Sequence, residues 1–273
     1  MATSAGALNY VRDLVRRRSG IVLDADKDYL IESRLTAVAR EVGCASVEDV
    51  ITRARTLSGG DMNVRVVEAL TTNETSFFRD VHPFEALRDE ILPAVLAARA
   101  VSRTVRIWSA ACSTGQEPYS IAMLLREHFA SLTGWRVRIT ATDLAESILA
   151  RARQGQYRQL EVNRGLPAPL LIKYFERNGA DWSVRPDVRA MVEFRALNLI
   201  EPVSPFPQAD VVFLRNVLIY FDVPTRRAVL KRVREALAPD GYLFLGGAET
   251  TTNIDDAFER VQAGKAAYHR IKR

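Results

Sequence analysis

Apolar positions in the first 70 residues recur at helical spacing. Leu8, Val11, Leu14 and Val15 mark a first helix that ends at Ser19-Gly20. A second runs roughly from Asp26 to Val42, with Leu30, Ile31, Leu35 and Val38 on one face and Gly43 as its stop. Ser46, with Asp49 three residues later, starts a third over Val47 to Thr56 through a weak form of the capping box. Gly59-Gly60-Asp61 punctuates the chain before a fourth helix through Val64, Val67 and Leu70. Residues 1–70 are therefore expected to form an all-helical domain, and residues 71–98 a linker that carries a polar lid and a helix starting near Pro83.

From residue 99 onward the pattern changes to strand alternating with helix. The run Val105 to Trp108 reads as a strand, gives way to the small residues Ser109 to Gly115, and is followed after Pro118 by a helical pattern. Trp135 to Ala141 is a second strand, ending in Thr142-Asp143-Leu144, with a helix over Ala145 to Ala152 behind it. The alternation lapses between about 154 and 196, where Gly155, Gly165, Pro167, Pro169, Gly179 and Pro186 accumulate. A helical patch (Leu170 to Phe175) and strand-like pieces (Trp182 to Arg185, Met191 to Leu197) suggest a small antiparallel insertion and then a return to the main sheet. A proline loop at Pro202, Pro205 and Pro207 precedes Asp210 to Leu214, hydrophobic throughout as a strand buried on both faces should be. A helix from Pro224 to Leu237, a turn at Pro239-Asp240-Gly241, and strands at Tyr242 to Leu245 and Ala266 to Ile271 complete an α/β, doubly wound domain over 99–273.

Composition narrows the class without changing it. At 273 residues, 48% hydrophobic and 26% charged, the chain suffices for one large domain and a small one. Even VVFLRNVLIYF is broken by Arg215 and Asn216, so no apolar run reaches the ~20 residues of a bilayer span. The N-terminus lacks a basic-then-apolar signal pattern, which gives the expectation of a cytoplasmic protein with no membrane insertion. Cys44 and Cys112 lack CxxC spacing and the three histidines lack ligand spacing, so no disulfide framework and no metal is expected. A net charge of +5 permits an acidic protein partner, while the lack of a dense basic stripe argues against nucleic acid.

Candidate chemistry gathers where strands end. The turn Ala110 to Gly115 has neither GxGxxG nor GK[ST] spacing, which excludes a dinucleotide fingerprint and a P-loop. Glu117 just beyond it would repel phosphate and suits a ligand with a cationic part. Asp143, at the tip of the second strand, can accept both hydroxyls of a ribose, or else only cap the following helix. Arg215 and Asn216 end the strand Asp210 to Leu214, and Asn198-Leu199 ends the piece VEFRALNL. In TTNETSFFRD, residues 71–80, Phe77 and Phe78 either close over a ligand or anchor a core, among polar groups that include Asn73, Thr75 and Arg79. Adenosine with a cationic tail describes S-adenosyl-L-methionine.

The segments TNETSFFRD, WSAACSTGQEPYSIAM, ATDL, FRALNL and RNVLIYFD, in this order and spacing, resemble the CheR family, the bacterial chemoreceptor glutamate O-methyltransferases. The resemblance covers nearly the whole chain. It implies a helical N-terminal domain, a Rossmann-like methyltransferase sheet with a small antiparallel β insertion, and methyl transfer from S-adenosylmethionine to glutamates on the cytoplasmic helices of chemoreceptors, with S-adenosyl-L-homocysteine as product. Carried over by motif, the cofactor contacts fall on Asn73, Thr75, Arg79, Glu117, Asp143, Asn198, Leu199, Arg215 and Asn216. Asp143 would hold the ribose, Glu117 the methionine ammonium, and Arg79 the methionine carboxylate or the substrate entrance. Tyr220 of the IYF motif would orient the acceptor, and the resemblance makes Tyr220 and Arg79 the catalytic candidates. Some family members bind a receptor tether peptide through a glycine-containing loop of the insertion. Residues 177–182 are short for that loop, so a tether-independent monomer is expected. The second helix is also less basic than a module gripping an acidic receptor helix would need. The alternative from another class is a non-catalytic S-adenosylmethionine-binding regulator; the intact Asn73, Arg79, Glu117, Asp143 and Asn216 argue against it.

Overall fold

The computed structural model describes residues 3–56, 60–129, 132, 134–202 and 208–272. Gly59 of the expected punctuation and Pro205 and Pro207 of the expected proline loop lie outside the described residues. The chain forms two compact units, one of residues 1–72 with 220–225, the other of residues 73–219 with 226–273.

The first unit contains four helices, α1 Ala5–Ser19, α2 Asp28–Glu41, α3 Val47–Thr56 and α4 Asp61–Leu70. Most of their apolar residues meet in one core, with Val11, Val15, Ile31, Leu35, Val50, Val66, Val67 and Leu70 buried, whereas Val64 of the expected pattern is 54% exposed on the outer face of α4. The capping pair at α3 forms as expected, with Asp49 N donating to Ser46 Oγ at 3.1 Å. The second helix starts later than its pattern suggests, because Ala25–Lys27 make a 3-10 turn first. Residues 220–225 join this unit through an isolated bridge between Ile21 and Phe221 and an Arg16–Asp222 ion pair of 2.7 Å.

In the second unit α5 His82–Ala86 runs through a π turn, Leu87–Ile91, into α6 Leu92–Ala98. Strand β1 Thr104–Ala110, helix α7 Gln116–His128, strand β2 Arg136–Asp143 and helix α8 Glu146–Gln154 then realise the expected alternation. The insertion follows: β3 Gln156–Arg158, α9 Gln159–Val162, α10 Ala168–Tyr174, β4 Phe175–Asn178 and β5 Asp181–Val184, whose strands pair antiparallel in the order β3-β5-β4. After α11 Pro186–Arg189 the chain returns through β6 Val192–Ala196 to β7 Ala209–Leu214, α12 Val223–Ala236, β8 Leu237–Leu245, β9 Phe258–Ala263 and β10 Ala266–Ile271.

The main sheet has seven strands in the order β6-β2-β1-β7-β8-β10-β9. Strands β6, β2, β1, β7 and β8 are parallel, and β10 and β9 add an antiparallel edge. The chain winds outward from β1 to β2 and β6, then crosses back to β7 on the other side of β1. That reversal opens a crevice at the carboxyl ends of β1 and β7, the place where doubly wound sheets bind ligands. Besides the short insertion strands β3 and β4, two features of the main sheet escape the sequence pattern. Strand β9 (FERVQA) carries charges that hide its alternation, as an edge strand tolerates. The turn Pro239-Asp240-Gly241 does not precede β8 but lies within it as a bulge, since Ala209 pairs with Leu237 while Val211 pairs with Tyr242. At the opposite end of the sheet, buried Asp210 accepts hydrogen bonds from Arg99 Nε and Arg106 N, both at 2.7 Å.

Candidate functional site

The five parallel strands end on the side of the sheet where this crevice lies, and a polar residue ends or follows each of them. Strand β1 leads into the turn 111–115, where Ala111 (φ 54°) and Ser113 (φ 52°) hold left-handed backbone. Ser113 N donates to Asp143 Oδ2 at 2.8 Å, Ala145 N donates to Asp143 Oδ1 at 3.2 Å, and Ser113 Oγ donates to the Asn73 carbonyl at 2.8 Å. The carboxylate ending β2 thus pins the turn after β1. It does not act as the side-chain cap of α8, whose flanking residue is Ala145.

Beside it, Glu117 in the first turn of α7 is buried. Its Oε1 accepts from Ser109 Oγ at 2.8 Å and its Oε2 from Arg215 Nη1 at 3.0 Å. Arg215, directly after β7, also donates through Nη2 to the Arg79 carbonyl at 2.9 Å and to Asp80 Oδ2 at 2.8 Å. Its Nε is buried without a hydrogen-bond partner among the described residues. Asn216 follows in left-handed backbone, φ 59°.

The polar stretch before α5 is tied down by its phenylalanines. Phe77 is fully buried, edge-on to Tyr157 at 5.0 Å and to Phe175 at 5.5 Å, and Phe78 packs edge-on to Phe84 at 5.2 Å. Phe77 is a core anchor and does not meet the expectation of closing over a ligand, because the aromatic cage of the insertion outcompetes an exposed position for so large an apolar ring, while Phe78 is half-buried against the core. Phe78 (φ 47°) and Asp80 (φ 62°) bring to five the non-glycine residues of positive φ at this site, out of seven among the described residues. Such strain persists where surrounding contacts over-determine it, and it clusters at functional sites.

Arg79 is half-buried and donates to the Glu74 carbonyl at 3.0 Å. Thr75 is half-buried in the same stretch. Beyond β6, Asn198 is partly committed to its own loop, with Nδ2 donating to Glu201 Oε1 at 2.9 Å, and Leu199 is buried. Tyr220 ends the 3-10 turn Leu218–Tyr220 and belongs to the helical unit, where its carbonyl accepts from Val22 N at 2.9 Å. In the framework at these strand ends, Ser113 joins Asn73 to Asp143, Glu117 pairs with Arg215, Arg79 meets Arg215 through its backbone carbonyl, and Asn216 N is held by Glu249.

Sequence reasoning missed several members of that framework. Ser109 and Ser113 lie inside the quoted turn motif but passed as small residues. Asp80 and Glu249 gave no signal beyond an acidic residue after an aromatic pair and one three residues after Gly246. Tyr157, the donor to the Thr114 carbonyl at 2.7 Å, sits in the insertion, where no pattern connected it to the turn.

The remaining reactive group is Cys112, buried in the turn. Burial, seconded by Asp143 and Glu117, pushes its thiol well above the ordinary range. It is protonated at neutral pH and is no nucleophile. The polar set fits an adenosyl sulfonium ligand: two buried carboxylates, Glu117 and Asp143, whose charge suits ammonium and hydroxyl protons, the Arg79 guanidinium for a carboxylate, and a turn with neither GxGxxG nor GK[ST] spacing for phosphate. The orphaned Arg215 Nε marks a polar site not satisfied by protein alone.

Residues 73–267 match the family described as CheR methyltransferase, SAM binding domain. The protein is an S-adenosylmethionine-dependent methyltransferase. Residues 6–71 match the CheR methyltransferase, all-alpha domain. The chain is 41% identical to Chemotaxis protein methyltransferase 1 of Pseudomonas aeruginosa, with 100% of both chains covered. It is 38% identical to Chemotaxis protein methyltransferase Cher2 of Pseudomonas putida, over 98% of this chain and all of that one. Against Chemotaxis protein methyltransferase 1 of Vibrio cholerae it is 40% identical, over 93% of this chain and 92% of the relative. The chain belongs to the CheR methyltransferase family.

Proposed function

We propose that this enzyme methylates glutamate side-chain carboxylates of chemoreceptors, forming the methyl esters used in chemosensory adaptation. The observation that carries the reading is how the groups at the crevice are committed among the described residues: Glu117 is engaged by Arg215, Asp143 by backbone, and the Cys112 thiol is protonated, so these groups bind and orient rather than attack. A glutamate acceptor is already ionised at neutral pH, so no general base is required. Bound S-adenosylmethionine supplies a methyl group on a sulfonium, already activated for attack by oxygen.

The protein then has to hold the partners in line, which can supply roughly 7 kcal/mol or more of the barrier. In this reading Asp143 receives the ribose hydroxyls, Glu117 the ammonium, and Arg79 the methionine carboxylate. Asn73, Thr75, Asn198, Leu199, Arg215 and Asn216 shape the remainder, and Tyr220 orients the acceptor. The partner is the cytoplasmic helical domain of a receptor, met by a cytoplasmic monomer that needs no tether peptide. No helix among the described residues is long and apolar enough to cross a membrane.

The test is transfer of labelled methyl from S-adenosylmethionine to receptor-containing membranes, followed by mild alkali. Release of the label as methanol identifies a carboxyl methyl ester. Label that survives alkali places the methyl on nitrogen and overturns the reading.

A further inference from the structure

We propose that Glu249, outside every motif used above, is a positioning residue of the methyl-transfer site that holds the loop after β7 and so aims Asn216 at the cofactor. The inference rests on the cofactor reading of the crevice, not on the identity of the acceptor. Glu249 lies in the loop after β8, and its carboxylate accepts four main-chain hydrogen bonds. Oε2 accepts from Asn216 N at 2.8 Å and from Gly246 N at 2.7 Å. Oε1 accepts from Val217 N at 2.8 Å and from Leu218 N at 2.6 Å. Four donors fill the acceptor capacity of a carboxylate, so Glu249 has nothing left for a ligand and acts through the loop it holds.

The loop needs such a clamp. Asn216 has φ 59°, and the turn it makes points the successive N–H groups of residues 216–218 the same way, a concavity that attracts an anion. Without an internal anion those three amides would be left to water, and the left-handed residue would lose what over-determines it. Glu249 supplies the anion from the neighbouring strand end. The approach is close enough to require glycine at 246: a Cβ there would stand 2.7 Å from both Glu249 Oε2 and Asn216 Nδ2. One side chain thus joins the ends of β7 and β8 and sets the direction in which Asn216 projects. Leu218, the last of the three amides, opens the 3-10 turn that ends in Tyr220.

The experiment uses the full chain with Glu249→Gln, Glu249→Asp, Asn216→Gly and the double variant Glu249→Gln/Asn216→Gly. The readouts are thermal melting of the unliganded protein, S-adenosylhomocysteine affinity by calorimetry, and kcat and KM for methyl transfer. Gln offers an amide N–H to donors that need an acceptor, so Glu249→Gln is expected to weaken S-adenosylhomocysteine about tenfold and to lower kcat more than it raises the acceptor KM. Asp keeps the charge and is expected to recover part of both. Asn216→Gly preserves the positive φ and removes only the side chain; on that background Glu249→Gln should add less than about threefold. Wild-type affinity and kcat in Glu249→Gln, or full additivity in the double variant, overturns the proposal. Should Glu249→Gln not fold, Glu249→Asp decides alone: wild-type affinity and kcat with an altered melt would mean a purely structural residue. If the wild type binds S-adenosylhomocysteine but methylates no receptor, the acceptor reading fails while the affinity cycle still judges Glu249.

Discussion

Arg215 and Glu117 form a buried ion pair, Nη1 to Oε2 at 3.0 Å, across the crevice between β7 and α7. Their side chains are only 2% and 11% exposed, so neither charge can fall back on water if its partner is removed. Arg215→Met leaves Glu117 with Ser109 alone and also frees Asp80, and is expected to destabilise the unliganded enzyme by about 3–5 kcal/mol. Urea unfolding without ligand measures it; a loss below 1 kcal/mol would show that the pair is solvated in solution.

Glu117→Gln tests the other half of the pair. Losing the charge that would meet the methionine ammonium should weaken S-adenosylhomocysteine about 10- to 100-fold. Adenosine, which has no ammonium, should bind the variant as it binds wild type. Equal losses for both ligands in calorimetry would move the ammonium elsewhere.

Asp143→Ala should behave differently, because the proposed partner of Asp143 is the ribose that both ligands share. Binding of S-adenosylhomocysteine and adenosine should fall together, beyond measurement by calorimetry. Some stability goes too, since Ser113 N and Ala145 N lose their acceptor. Asp143→Asn keeps one carbonyl oxygen and separates the effects: the melt should recover more than the affinity does.

Tyr157 links the insertion to the turn after β1. Its hydroxyl donates to the Thr114 carbonyl at 2.7 Å, and the residue four positions on, Pro118, has no N–H with which to replace it. Tyr157→Phe removes the hydroxyl and keeps the ring against Phe77, so it isolates this bond. A buried carbonyl left without its donor costs about 1–3 kcal/mol. A fall of several degrees in melting temperature with a modest rise in S-adenosylhomocysteine Kd is the expected pair of results. An unchanged melt would mean that water takes the place of the hydroxyl.

Much of this architecture was legible in the sequence because its signals are local. The buried strands β1 and β7 and the polar residues at their ends follow from hydrophobic runs that stop abruptly. The places of Asp143, Arg215 and Asn216 at strand ends were legible because a strand end is a place that one-dimensional pattern can locate. What pattern cannot show is who completes a hydrogen bond from far along the chain. Glu249 stands 33 positions from Asn216, and Tyr157 is 43 from Thr114. Their roles exist only once the sheet brings the ends of β7 and β8 together and folds the insertion back over the turn. The two phenylalanines of the polar stretch were ambiguous for the same reason. The cage that claims Phe77 is built from residues 157 and 175.

His269 gives the fold a pH dependence that is separate from the site. It is 3% exposed in β10, opposite Leu243 of β8 and Arg260 of β9, and neither ring nitrogen has a hydrogen bond of good geometry among the described residues. Burial is the main cause that lowers its pKa below 6.5; the Arg260 charge adds to it, and the Leu243 backbone opposes it. The folded protein therefore holds a neutral imidazole where the unfolded chain takes up a proton. Below pH 6.5 the unfolded state binds more protons, so stability is full above that value and declines as the pH falls toward the lowered folded pKa. The urea midpoint should drop between about pH 7 and pH 5.5 with the slope of at most one proton. His269→Leu, which fills the same apolar space without a titrating group, should flatten that slope. A wild-type slope in the variant would assign the acid sensitivity to other groups and leave His269 as a packed ring with no linkage to folding.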